Sequence, residues 1–124
     1  MKLFAIISFC VSLGMCAIQT LPATPANVNI FSQIVDIRID IERQETGIIK
    51  DAKLIKFNKD KKNLIRDINL QIDTSKPFAI ICRSGRKSAF VAELIDAPDL
   101  NITVLDGGMK KLINHGYITA PYKD

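Results

Sequence analysis

The chain has 124 residues, with 17 Lys and Arg against 13 Asp and Glu, for a net charge of +4. That length holds one domain, and a mild cationic excess without a long basic stripe excludes a nucleic-acid-binding surface. The basic cluster Lys59-Asp60-Lys61-Lys62 is interrupted by acid and reads as the solvated start of a helix.

The N-terminus opens with Lys2 and an apolar run over 3–18, and no further charge appears before Asp36. A short positive segment, a hydrophobic stretch, then small residues and prolines is the layout of a secretory signal, assigned here to 1–26. Ala17, Ala23 and Ala26 each offer a small residue for cleavage. The competing reading is an uncleaved membrane anchor. Ser8, Ser12, Gly14, Gln19 and Thr20 dilute the run, so a periplasmic or secreted location is expected instead. Leu13-Gly14-Met15-Cys16 has the outline of a lipoprotein signal, but Met15 is bulky where that signal wants a small residue. Cleavage removes Cys10 and Cys16 and leaves Cys82 alone. A lone exported thiol cannot close an internal disulfide, so its reactivity is expected to be used.

The rest divides into a domain over 27–120 and a tail over 121–124, and short β-rich runs alternate with segments of helical period. "IVDIR" (34–38) ends a strand, and "DIERQET" (40–46) makes a short helix closed by Gly47. "AKLIKF" (52–57) reads as a strand, after which Asn58 can cap a helix reaching about Leu70, with Leu64, Ile65, Ile68 and Ile72 on one face. Pro77 punctuates, and "FAIIC" (78–82) is a continuous apolar run of the kind found in buried parallel strands. A helix over about 86–96 is expected to bury Ala89, Phe90, Val91, Ala92 and Ile95, and Pro98 ends it. "ITVL" (102–105) is a strand and "GGMKKLINHG" (107–116) a last helix with Gly116 at its C-terminal end. Alternation of this kind predicts an α/β fold with a mostly parallel sheet covered by helices on both faces.

The chemistry concentrates in "ICRSGRKS" (81–88). Reactive groups in such sheets gather just beyond the carboxyl ends of the strands, where Cys82 lies. The following turn, with Gly85 supplying the permissive backbone, leads into a helix whose N-terminus adds partial positive charge. Arg83, Arg86 and Lys87 add full charges. Together these favour thiolate over thiol and make Cys82 a nucleophile in a cradle for an anionic substrate. A cysteine phosphatase needs an arginine six positions after the nucleophile, and Ser88 stands there. Asp36, Arg38 and Asp106 lie at strand ends near the loop and are read as hydrogen-bonding supports. His115, the only histidine, suits the end of its helix, and with Cys82 remote from it no metal site is credible.

The residues resemble a family, the single-domain rhodaneses. "CRSGRKS" looks like their six-residue active-site loop, and "VDIR" with Glu42 or Glu45, Gly47 and Ala52 is similar to their N-terminal signature. "VLDGGMKKLINHGY" (104–117) is similar to their C-terminal one. The resemblance implies a rhodanese-like three-layer fold with a mostly parallel central sheet flanked by helices. It also implies a sulfurtransferase in which Cys82 takes a sulfane sulfur from thiosulfate or a persulfide. The sulfur would pass to a thiophilic acceptor such as cyanide, sulfite or a thiol, a protein thiol included. Arg83, Ser84, Gly85, Arg86 and Lys87 would bind substrate and persulfide, with no cofactor, in a monomer. The alternative is a non-enzymatic module of the same fold that binds a partner or delivers a persulfide. Departures from the family pattern are Ile48-Ile49-Lys50-Asp51 for its His-Ile-Pro-Gly, Leu112 for its tryptophan and Lys87 for its loop arginine. With the leader removed only about 27–33 precede "VDIR", so a shortened N-terminal edge of the sheet is expected.

Overall fold

In the computed structural model, which describes residues 18–123, β4 (Phe78–Ile81) runs through the centre with all four residues buried. It pairs in parallel with β5 (Ile102–Asp106) on one side and β2 (Ile34–Asp36) on the other. β1 (Gln19–Pro22) lies outside β5 and β3 (Lys53–Leu54) outside β2, so the parallel sheet has the order β1-β5-β4-β2-β3. The helices are α1 (Pro25–Val28), α2 (Asp40–Thr46), α3 (Lys61–Gln71), α4 (Arg86–Ile95) and α5 (Gly108–Asn114).

Period-two alternation sorts the central strand between two cores. Phe78, Ile80 and Cys82 join Leu64 and Ile68 of α3 and Val91, Ala92 and Ile95 of α4. Ala79 and Ile81 turn the other way, toward Val28 of α1 and Met109 and Leu112 of α5. Each fully buried aliphatic or aromatic side chain contributes about 1.5–3 kcal/mol, so the two-sided burial of β4 anchors the strand that carries the cysteine. This is an α/β fold of the expected three-layer kind.

The expected shortened edge is not found. β1 pairs with β5 over four registered positions, and the next residue, Ala23, is buried with its N–H donating to Asp106 O at 2.8 Å. β1 falls inside the 1–26 range assigned to the leader. The run "IQTLPATPA" has the small residues and prolines of a cleavage region, and it also supplies a half-buried edge strand followed by a capped helix. Thr24 caps α1 by accepting from Asn27 N–H at 3.3 Å, with Pro25 in the first turn. The domain therefore includes Gln19 onward and does not start at 27. The rest of the expected 1–26 leader, residues 1–17 with Lys2, Cys10 and Cys16, lies outside the described residues. Among those described, no helix is long and apolar enough to cross a membrane.

Three smaller expectations are also corrected. Only Lys53 and Leu54 of "AKLIKF" form a strand, because β3 is an edge with a single partner and two registered positions. Asp60, not Asn58, stands at the N-cap of α3, and the Asn58 carboxamide oxygen accepts the Asp60 N–H at 2.7 Å in a turn before the helix. Helix α4 buries Ser88, Val91, Ala92 and Ile95, a clean one-face spacing, and leaves Ala89 and Phe90 exposed. Phe90 packs on Phe57 with ring centroids 6.1 Å apart.

The chain end is part of the fold. Ala120 bridges Ile48, and the Tyr122 hydroxyl donates to the Asp40 carboxylate at 2.9 Å, so the segment after α5 ties back to α2.

Candidate active site

Cys82 follows the last residue of β4, at the carboxyl edge of the sheet, and is 3% exposed. The chain then turns through Arg83 and Ser84 to Gly85, whose φ of +100° disfavours any residue with a Cβ. The turn folds the backbone over the sulfur. Gly85 N–H donates to Cys82 Sγ at 3.0 Å, and Ser88 N–H, in the first turn of α4, donates at 3.4 Å. Both donors aim at the sulfur as they would at an anion, and the ten-residue helix α4 starts at the same place.

A cavity of about 290 Å³ opens over the sulfur, walled by Arg83, Ser84, Arg86 and Lys87 from the loop and by Arg38 and Glu42 from across the sheet edge. The loop side chains Arg83, Ser84, Arg86 and Lys87 are exposed, and Gly85 is buried. Of the five residues read from the sequence as substrate-binding, Gly85 places its N–H on the sulfur, and Arg83, Ser84, Arg86 and Lys87 line the cavity that Cys82 also lines. Lys87 also places its Nζ 5.3 Å from the Phe57 ring centroid, a cation–π contact.

The loop is held from behind by α5. Met109 N–H donates to Cys82 O at 2.8 Å and Lys110 N–H to Arg83 O at 3.1 Å. A Cβ on Gly108 would overlap the carbonyl groups of Cys82 and Arg83, so the second glycine of "DGG" is there for close approach of two backbones.

Asp36 and Arg38 act as supports. Arg38 is 1% exposed, and its Nε and Nη2 donate to both Asp36 carboxylate oxygens at 2.9–3.2 Å. Its Nη1 donates to Glu42 O and Thr46 Oγ1, and Nη2 also to Gly47 O. Arg43, buried beside them, donates from Nη2 to the carbonyls of Asp36 and Ile55. Asp106 is an exposed strand end whose carbonyl holds Ala23. His115 is exposed at the end of α5, its ring nitrogen 2.9 Å from Lys111 O, and stands apart from the cavity walls. Among the described residues no three His, Cys, Asp or Glu side chains converge as a metal requires.

Sequence reading missed three contributors: the Ser88 N–H, the wall formed by Arg38 and Glu42, and the clamp from α5. Ser88 is the residue after the expected loop, and the helix start expected there was the available signal. Glu42 is 40 positions from the cysteine and meets it only because β2 neighbours β4 in the sheet.

The rhodanese-like domain family model matches residues 23–115. Among solved structures, the chain is similar to a rhodanese-related protein of Thermoplasma volcanium, with 26% identity, TM-score 0.64, and 80% of this chain and 94% of that one covered. It is also similar to a rhodanese-like domain protein of Staphylococcus aureus, with 26% identity, TM-score 0.59, and coverage of 75% and 89%. A Staphylococcus saprophyticus protein matches with 25% identity, TM-score 0.61, and coverage of 79% and 96%. No curated protein gives a significant match. The family match spans most of the described residues and contains the cysteine loop, both its supports and four of the five strands: the chain belongs to the rhodanese-like domain family.

Proposed function

We propose that this protein is an exported sulfurtransferase with Cys82 as its nucleophile. The observation that carries the reading is the pair of N–H donors on Sγ, at 3.0 and 3.4 Å, beneath a cavity walled by Arg83, Arg86 and Lys87. Such a site holds a negative sulfur and gathers an anionic donor over it. With thiosulfate, the Cys82 thiolate attacks the outer sulfur. The bond between the two thiosulfate sulfurs breaks, sulfite leaves with the electron pair, and Cys82 carries a persulfide. A thiophilic acceptor then takes the outer sulfur and restores the thiolate.

In this reading the protein acts as a monomer and residues before the domain are a secretory leader. Cleavage after Ala17 is the processing compatible with the fold, since cutting after Ala23 or Ala26 would remove β1. The test is steady-state turnover of thiosulfate and cyanide, read as thiocyanate. Wild type should turn over and Cys82→Ser should fall to background. Equal rates for the two, or none from folded wild type with any sulfane donor, would favour the non-enzymatic partner-binding module.

A further inference from the structure

Residues 53–66 hold six cations, Lys53, Lys56, Lys59, Lys61, Lys62 and Arg66, against Asp60 alone, a net charge of +5 in a chain whose total is +4. The rest of the chain is slightly acidic, so the cationic excess belongs to β3, the turn after it and the start of α3. All six cationic residues are exposed. None of the five lysines is in an ion pair among the described residues, and Arg66 has only a surface pair with its neighbour Asp67, at 3.3 Å.

Folding gathers these charges at one corner. β3 is the outer strand of the sheet, and a groove of about 150 Å³ joins it to α3, lined by Lys56 after the strand and by Asp67 and Leu70 of the helix. Lys62, Arg66 and Leu70 follow at four-residue spacing and form one stripe along α3, opposite its buried Leu64 and Ile68. Leu70 ends that stripe 77% exposed. Lysine on an edge strand deters strand pairing, which accounts for Lys53 but not for the five cations beyond the strand. Lys61 and Lys62 even work against the fold. They occupy the first turn of α3, where the helix is already partially positive, with no acid in that turn and no side-chain capping bond from Asp60. A local rule broken with no compensating contact marks a functional feature.

We propose that this corner docks the protein on an anionic phospholipid surface. The ammonium groups lie among the headgroup phosphates, and Leu70 enters the boundary with the acyl chains. The cations are spread over a strand, a turn and a helix stripe rather than gathered in one cleft. That spread suits mobile headgroups, which move to meet each charge, better than the fixed relief of a folded acidic protein. None of these side chains walls the cavity over Cys82, so the docked protein keeps its cysteine reachable from solution. The proposal is independent of the chemistry at that cysteine.

The test is cosedimentation of the purified protein with phosphatidylcholine vesicles containing about one-third phosphatidylglycerol, against vesicles of phosphatidylcholine alone. Wild type should bind the anionic vesicles at low ionic strength, leave them in about 0.5 M salt, and stay off the neutral ones. The double variant Lys61→Glu/Lys62→Glu should bind on the order of 10²-fold more weakly. Its thermal unfolding midpoint should equal or exceed that of wild type, because carboxylates suit the first turn of a helix. A purely structural role for the two lysines predicts the reverse, lower stability with unchanged binding. Lys56→Gln/Arg66→Gln, outside that turn, should weaken binding on the order of tenfold. Equal binding to the two kinds of vesicle, or equal binding by wild type and either variant, overturns the proposal. Tighter binding to duplex DNA or to polyglutamate than to the anionic vesicles also overturns it, since the corner would then serve a soluble polyanion.

Discussion

The two N–H groups that face the Cys82 sulfur belong to Gly85 and Ser88, neither of them a cationic residue. In the proposed function the backbone and the charged side chains would therefore do separable work: amides hold the sulfur, and Arg83, Arg86 and Lys87 would act on the substrate that comes to it. Changing one cation should grade activity without abolishing it. Lys87→Gln should raise the thiosulfate KM and lower kcat/KM roughly tenfold, and Lys87→Arg should keep or improve it by adding a fork for two oxygens. Steady-state kinetics check this, and an unchanged KM in Lys87→Gln would mean that the lysine stays on the Phe57 ring when substrate binds. The cysteine's place in a turn at the end of the central strand was legible because an apolar run, a glycine and three cations occur within ten consecutive residues, 78–87. Glu42 as a cavity wall was not, because that contact depends on which strands become neighbours.

Among the elements, α5 does the least visible work. Its first turn fastens the carbonyls of Cys82 and Arg83, and Gly108 lets it come close enough. Gly108→Ala should push the loop from its place and cost about 10²-fold in turnover, as a displacement near 1 Å commonly does. Thermal unfolding of the same variant separates a shifted loop from a lost fold, since full turnover with unchanged stability would contradict the clamp. The Asp36–Arg38 pair supports the loop's other neighbour. Removing one partner of a buried, hydrogen-bonded pair costs about 3–5 kcal/mol, because the remaining charge is left uncompensated. Helix α2 matched its sequence reading closely, since Gly47 closes it with a φ of +81° that few other residues adopt. The "AKLIKF" strand did not, because edge strands are set by the length of their one partner. The apolarity of Phe90 suggests a core position, yet the buried face of α4 is the one at Ser88, Val91, Ala92 and Ile95.

At the scale of the whole molecule, the sheet is complete only with β1. Without it β5 would become an open edge, and Ala23 and Val28 would leave the second core. A chain beginning at Ile18 should unfold in one cooperative transition. One beginning at Asn27 should lose on the order of 3 kcal/mol or more and tend to aggregate. Equal stability of the two in urea would contradict the place given to β1. The strand was illegible in the sequence because small residues and prolines serve a cleavage region and an edge-strand-to-helix turn equally well. The central claim, that Cys82 takes up and releases sulfur, is tested most directly by the intact mass of the purified protein after thiosulfate and then cyanide. The account predicts a gain of one sulfur atom, mapped to Cys82, absent in Cys82→Ser and reversed by cyanide. An unchanged mass with thiosulfate and with polysulfide would contradict it.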